Sequence, residues 1–256
     1  MKEIIRSKQN GKIKEWRKLL TSKGRQQQAA YLVEGLHLVE EALTYQQPIT
    51  DLILTESFDL VEASLTLPDN IFIHWISDDL AKELSGTVKP QGIFAVIDLS
   101  NQIFDPDWSQ GKWLLLDRIQ DPGNLGTMIR TADAAGFNGV VLGKGTVDLY
   151  NDKVLRSTQG SLWHLPIVQA ELNSLIKTFR QAGVPVLATA LHQSAQDYRR
   201  LNLEHESLAL LMGNEAQGLA TDLIAAADQK IYIPMKGKAE SLNVGVAAAV
   251  LMFYFS

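Results

Sequence analysis

The chain has no cysteine, and that absence removes disulfides, thiolate nucleophiles and cysteine-ligated metals from consideration at once. No glycine fingerprint of the form G-x-G-x-x-G follows an apolar strand, and no G-x-x-x-x-G-K-[ST] loop occurs. A Rossmann dehydrogenase, an ordinary Rossmann methyltransferase and a P-loop NTPase are therefore disfavoured. There is no G-x-S-x-G elbow for a serine hydrolase. Histidine is scarce and scattered (His37, His74, His164, His192, His205), without the spacing that gathers metal ligands, so no metal site is expected. The longest apolar run, Val244 to Phe255, is too short to span a bilayer, which needs about 20 residues. The polar start, MKEIIRSKQNGKIKEW, lacks the apolar core of a signal peptide, and a cytoplasmic location is expected.

What is present is uneven. Residues 1–25 carry nine Lys/Arg against two acids, a charge of +7, whereas the remaining residues carry 15 basic and 27 acidic groups, a charge of −12. A basic end on an acidic body suits an anionic partner. Lys8, Lys12, Lys14, Lys18 and Lys23 are the candidate phosphate contacts. A solvated amphipathic helix, with Ile13, Trp16, Leu19 and Leu20 inward, would place the lysines outside equally well.

Periodicity divides the chain at a polar stretch, residues 100–112. Before it, helix patterns at Ile13–Leu20, Leu36–Leu43 and Ala81–Leu84 mix with strand patterns at Tyr31–Val33, Leu52–Leu54, Ile71–Ile76 and Ile93–Leu99. After it, strands are expected at Trp113–Leu116, Gly139–Leu142, Pro166–Val168, Pro185–Ala190, Ser207–Met212 and Ile231–Met235. Helix patterns separate them at Leu125–Ala135, Val154–Gln159, Leu172–Gln181, Leu219–Ala226 and Leu242–Phe255. Continuous apolar strands such as WLLL and LALLM suit a parallel sheet covered on both faces. The reading is an α/β protein: a smaller domain over residues 1–99, a linker over 100–112, and a larger domain over 113–256.

Three stretches of the second domain leave an apolar strand, pass through Asn or Ser and Gly, and enter a helix: Leu114–Gly136, Leu208–Ala220 and Ile233–Phe255. Ligands of α/β sheets gather at such strand ends. Taken together the stretches resemble the three motifs of the SpoU/TrmH family of RNA ribose 2′-O-methyltransferases, within the SPOUT superfamily. The first resembles D-x-x-x-D-P-x-N-x-G-x-x-x-R-T-A-x-A-x-G through Asp117, Asp121, Pro122, Asn124, Gly126, Arg130, Thr131, Ala132, Ala134 and Gly136. The second resembles G-x-E-x-x-G-L through Gly213, Glu215, Gly218 and Leu219. The third resembles I-P-M-x-G-x-x-x-S-L-N-V through Ile233, Pro234, Met235, Gly237, Ser241, Leu242, Asn243 and Val244. The stretch KVLRSTQGSLWHLPI between them, and VEGLHLVEEAL and KPQGIFAVID upstream, are also similar to family segments.

The resemblance implies a catalytic domain with a C-terminal trefoil knot, preceded by a ribosomal-protein-like α/β/α substrate-binding domain. It implies methyl transfer from S-adenosylmethionine to a ribose 2′-hydroxyl of RNA, with rRNA favoured over tRNA because of the N-terminal domain. A tRNA enzyme of the same fold and a non-catalytic RNA-binding assembly factor are the alternatives. Gly213, Ile233 and Leu242 match the family's cofactor positions, Met235 joins them, and Thr189 and Ala190 extend the wall. Arg130 is the expected catalytic residue, fixing an RNA phosphate and the developing alkoxide rather than acting as a base, because arginine stays protonated. Asn124 and Glu215 would orient the ribose and the loop around Arg130, while Ser241 and Asn243 would cap the last helix and reach substrate. Asn124 and Ser241 would also suit helix caps with no catalytic duty. A final helix apolar on all sides calls for a covering partner, and a homodimer packed through it and the first-motif helix around Arg130 is expected.

Overall fold

The computed structural model describes residues 3–68, 71–100, 104–190, 192–202 and 206–256. It divides into two compact units, Met1–Ile103 with Asp148–Trp163, and Phe104–Val147 with His164–Ser256. Residues 101–103 of the expected linker and His205 lie outside the described residues.

The first unit is built on a five-stranded mixed sheet. In chain order its elements are β1 (Ile4–Ile5), α1 (Gly11–Lys18), α2 (Ser22–Gln28), β2 (Ala30–Glu34), α3 (Leu36–Thr44), β3 (Ile49–Thr55), β4 (Phe72–Ile76), α4 (Asp78–Leu84) and β5 (Ile93–Asp98). The strand order is β1-β4-β3-β5-β2, with β1, β4 and β3 parallel and β5 antiparallel to both β3 and β2. Asn10 caps α1 by accepting the Lys12 amide, and the inward residues Ile13 and Trp16 join Leu19, Ile53, Ile76 and Phe94 in one core cluster. Helix α2 has no apolar period and was not expected. Thr21 caps it, it stops where Ala29 turns left-handed at φ 45°, and it lies so close to α1 that a Cβ at Gly24 would overlap the Lys18 carbonyl.

The chain continues with β6 (Lys112–Leu116), α5 (Pro122–Ala134), β7 (Gly139–Leu142), α6 (Asp152–Thr158), β8 (Ile167–Gln169), α7 (Leu172–Gln181), β9 (Val186–Thr189), β10 (Gln196–Asp197), β11 (Leu208–Met212), α8 (Thr221–Ala226), β12 (Gln229–Tyr232) and α9 (Val244–Tyr254). All of these except α6 belong to the second unit. Its seven strands are all parallel, in the order β10-β12-β9-β11-β6-β7-β8. The strands WLLL and LALLM are buried throughout, as continuous apolar runs require. One face packs under α7 and α8 through Trp113, Leu115, Ile176, Phe179, Val186, Leu211 and Leu223. Helices α5 and α9 pack on each other and reach β7 and β11. The expected linker is not a free spacer, since Trp108 stacks against Trp113 at 4.5 Å and Phe179 at 5.6 Å.

The second unit is interrupted between Val147 and His164. Asp148–Trp163 groups with the first unit because its rings and charges are satisfied there. Tyr150 packs on the fully buried Tyr31 at 4.4 Å, Trp163 Nε1 donates to the Tyr31 hydroxyl at 2.9 Å, and Arg25 pairs with Asp148. Gly160 takes φ +93° where a side chain would collide with Glu41.

Among the described residues no helix is long and apolar enough to cross a membrane, and no group of three or more His, Asp or Glu could hold a metal ion.

Candidate active site

In the second unit the chain leaves β6 in one direction to build β7 and β8, then crosses to build β9 and β11 on the other side. The C-terminal ends of β6 and β11 therefore flank the point where strand order reverses, the usual place for a ligand in an open parallel sheet. The Asp117 amide donates to the Met212 carbonyl at 2.9 Å, so the first two motif loops leave the sheet side by side.

These loops are stitched together by buried and half-buried polar contacts. Buried Asp117 accepts from the Ala220 amide at 3.0 Å and pairs with Arg118 at 3.0 Å. Arg118, in the left-handed region at φ 53°, also donates to Gln217 Oε1 at 3.0 Å. Asn214 Nδ2 returns a bond to the Arg118 carbonyl at 2.8 Å. Gly213 begins the second loop where a Cβ would fall on the Leu219 amide and the Gly218 carbonyl carbon, so no other residue fits.

Asp121, not Asn124, caps α5: its carboxylate accepts the Asn124 amide proton at 2.8 Å, and Pro122 occupies the first turn. The Asn124 side chain is thereby left for another task. Its Nδ2 donates to Glu215 Oε1 at 3.0 Å, and its Oδ1 accepts from Asn243 Nδ2 at 2.9 Å. Asn243 in turn caps α9, accepting from the amides of Gly245 at 2.9 Å and Val246 at 3.2 Å. One residue from each motif thus forms a continuous chain, Glu215–Asn124–Asn243. Glu215 also accepts from the amides of Gln120 at 3.2 Å and Asp121 at 3.1 Å. Partial burial works to raise the Glu215 pKa, but the bonds from Asn124 and the loop amides outweigh it and hold the carboxyl below its ordinary range.

Beside this chain lies a cleft of about 490 Å³, within the range of small-molecule sites. Thr189, Ala190, Gly213, Ile233, Met235 and Leu242 all line it, together with Glu215 and Ser241. Strand β12 ends at Tyr232 rather than at Met235, so residues 233–243 form an irregular wall. Ser241 is exposed on that wall and does not cap α9, whose first residue is Val244. Asn124, Asn243 and Arg130 are not among the lining residues. Arg130 is exposed on α5 with no ion pair or side-chain hydrogen bond among the described residues. Sequence reasoning missed Gln120, Asn214 and Arg118; no motif marked them, because their role rests on bonds between loops far apart in the chain.

In the first unit the lysine set divides. Lys8 reaches Glu83 at 2.5 Å and Lys12 reaches Asp51 at 3.2 Å, so each already has an acidic partner. Lys14, Lys18 and Lys23 are exposed with no such partner among the described residues.

Residues 112–253 match the SpoU rRNA Methylase family, and residues 10–95 match the MRM3-like substrate binding domain. The chain is 42% identical over 250 residues to the Bacillus subtilis 23S rRNA (guanosine(2553)-2′-O)-methyltransferase RlmP, covering 98% of each chain. It is similar to the AdoMet-bound rRNA methyltransferase from Sinorhizobium meliloti, with a TM-score of 0.86 at 32% identity over 99% of this chain and 97% of that one. It is also similar to the SpoU methyltransferase AviRb from Streptomyces viridochromogenes in complex with AdoMet, with a TM-score of 0.84 at 28% identity over 96% and 97% of the two chains. With motifs, sheet order and matched length in agreement, the chain belongs to the SpoU rRNA methylase family.

Proposed function

We propose that this enzyme transfers the methyl group of S-adenosylmethionine to a ribose 2′-hydroxyl of 23S rRNA. The single observation that carries the reading is the Glu215–Asn124–Asn243 chain, which ties all three motifs together beside a cleft of cofactor size. The relatives named above support rRNA as the substrate, and the N-terminal match to a substrate-binding domain favours rRNA over tRNA.

The cleft fits the cofactor by its chemistry. Ile233, Leu242, Leu219 and Leu251 would hold the cofactor by apolar contact, and Thr189 and Glu215 would supply polar atoms. When bound, S-adenosylmethionine supplies a methyl group already activated by its sulfonium. The protein's own tasks are orientation and charge. Asn124 and Glu215 hold the first two loops at a fixed separation, and Asn243 fixes the start of α9 against them. Ser241 lines the cleft, which supports a role as hydrogen-bond donor or acceptor toward the nucleotide. Arg130 offers a planar fork to an RNA phosphate and stabilises the 2′-oxygen as its proton departs to that phosphate or to water. Lys14, Lys18 and Lys23 supply phosphate contacts from the first unit, with Lys8 and Lys12 joining only by exchanging their acidic partners.

The enzyme works as a cytoplasmic homodimer whose interface includes α9. Val246, Val250, Phe253 and Tyr254 form an exposed apolar stripe on that helix, while Ala248, Leu251 and Met252 face inward. The trefoil knot implied by the family resemblance is part of the same reading.

Mapping 2′-O-methyl groups in 23S rRNA after incubation with the purified chain and S-adenosylmethionine tests the reading. A single new 2′-O-methyl nucleotide is expected. Methylation confined to tRNA, or none with either RNA, overturns it.

A further inference from the structure

The loop between β11 and α8, residues 213–220, closes on itself. The Asn214 amide donates to the Gly218 carbonyl at 3.1 Å, and the Gly218 amide returns a bond to the Asn214 carbonyl at 2.9 Å. Asn214 Oδ1 accepts the amides of Ala216 and Gln217, both at 3.0 Å. Gly213 to Leu219 all line the cleft, yet Glu215 to Gly218 are exposed, so burial does not fix the shape of this wall.

Two separate sets of bonds hold the loop from outside. Glu215 is held by the amides of Gln120 and Asp121 and by Asn124 Nδ2. Gln217 and Gly218 are held by Arg118, whose Nη1 donates to Gln217 Oε1 at 3.0 Å and whose Nη2 reaches the Gly218 carbonyl at 3.4 Å. Arg118 is itself fixed. Its Nε and Nη2 pair with the two oxygens of buried Asp117, each at 3.0 Å, and its carbonyl accepts from Asn214 Nδ2 at 2.8 Å. All three guanidinium nitrogens are thus engaged. The residue lies at φ 53°, a left-handed conformation that is costly for a side chain without β-carbon freedom and persists only where its surroundings enforce it. Backbone strain at the one side chain that grips Gln217 points to a duty in the site.

We propose that Arg118 is a positioning residue for the cofactor, clamping Gln217 and Gly218 so that this wall of the cleft is formed before S-adenosylmethionine arrives. The inference rests on the reading of the cleft as the cofactor site. It divides the labour of one loop between its two anchors. Asn124 and Glu215 serve methyl transfer, whereas Arg118 serves cofactor binding. A wall already ordered binds more tightly, because the ligand need not order it. An arginine that merely braced the fold would lower stability and leave the balance between cofactor binding and turnover unmoved.

The test uses the full chain with three variants. Arg118→Gly removes the clamp while favouring the left-handed backbone, so the fold is kept. Arg118→Lys keeps the charge without the fork, and Gln217→Leu removes one acceptor while leaving Arg118 on Asp117. The S-adenosylmethionine dissociation constant is measured by isothermal titration, alongside KM and kcat on 23S rRNA and amide hydrogen exchange. In Arg118→Gly the dissociation constant and KM for S-adenosylmethionine should rise at least fivefold while kcat falls no more than threefold. Arg118→Lys and Gln217→Leu should give smaller rises of the same kind. Without cofactor, the amides of residues 214–218 should exchange at least tenfold faster in Arg118→Gly, while those of β6 and β11 keep their protection. A rise below fivefold in Arg118→Gly, a loss carried by kcat alone, or faster exchange spread through β6 and β11 overturns the proposal. If the unaltered chain binds no S-adenosylmethionine, the reading of the cleft fails and this proposal with it. Binding by the unaltered chain, with the constant unmoved in Arg118→Gly, overturns this proposal alone.

Discussion

Asn124 donates one amide hydrogen to Glu215 Oε1 at 3.0 Å while its own oxygen accepts from Asn243, so a single carboxamide holds three loops. Neither leucine nor aspartate can do both. Asn124→Asp would set a second carboxylate against Glu215, and Asn124→Leu would leave Glu215 and Asn243 each one bond short. Hydrogen bonds of this kind contribute about 1 kcal/mol each, less where water can replace them. The expected outcome is a drop in melting temperature of a few degrees and at least a tenfold loss of methyl transfer in both variants. Activity near that of the unaltered chain in Asn124→Asp would refute the orienting role.

Arg130 is exposed and has no side-chain hydrogen bond or ion pair among the described residues, and its proposed duty toward RNA is open to a direct test. Arg130→Ala should abolish methyl transfer while S-adenosylmethionine affinity stays within a few-fold, and Arg130→Lys should recover little, because an ammonium cannot present a planar fork. Isothermal titration for the cofactor and a filter assay for RNA methylation separate the two effects. Substantial turnover by either variant removes Arg130 from the mechanism.

Phe253 and Phe255 stand two residues apart and should behave differently. Phe253 is 57% exposed on α9, whereas Phe255 is 8% exposed and part of the protomer's own interior. Phe253→Asp should yield a folded monomer at micromolar concentration. Phe255→Asp should instead unfold the second unit, since burying a charge without a partner costs several kcal/mol, on the order of the stability of a whole domain. Sedimentation velocity and circular dichroism read the two outcomes, and a dimeric Phe253→Asp would count against α9 as an interface.

The Glu215 carboxyl is held below its ordinary pKa in the folded state, so its bonds stabilise the protein fully above the usual glutamate range. That contribution is lost as pH falls through the depressed value. The unaltered chain should therefore lose more stability than Glu215→Gln on acidification below about pH 4.3, the unfolded reference. Parallel acid-dependent denaturation curves for the two proteins would rule this out.

Affinity for RNA should fall with salt, and neutralising Lys14, Lys18 and Lys23 to Gln should flatten the log–log slope by about two units, at roughly 0.7 per contact for single strands. The same change at Lys8 and Lys12 should matter less, because Glu83 and Asp51 already hold them. Equal effects from the two sets would show that those surface pairs open freely.

Much of this was legible because it is written in local pattern. WLLL, GVVL and LALLM announce buried parallel strands, and the motif order places their loops. All six residues expected at the cofactor line one cleft. The N-terminal helix showed its inward face in Ile13 and Trp16. What escaped depends on contacts that no window contains. Helix α2 (SKGRQQQ) has no apolar stripe and is held by its Thr21 cap. The two-residue strand β10 exists only because β12 offers an edge. The assignment of Asp148–Trp163 to the first unit needs Tyr31 and Arg25, more than a hundred residues upstream. The capping role suggested for Asn124 falls to Asp121 three residues earlier, and geometry alone could show which side chain was spared.

The packing of Tyr150 and Trp163 on the buried Tyr31 has a consequence for how the protein is born. A ribosome that has released the first hundred residues has released a sheet still lacking the rings that close over Tyr31. That sheet waits for residue 163 to emerge. The second unit's central pairing, β6 with β11, waits longer still, for residue 212. Both units therefore mature late and close together in time, and pairings this distant in sequence form slowly. Until residue 212 has emerged, the ring cluster on Tyr31 and the β6–β11 pairing cannot both be complete.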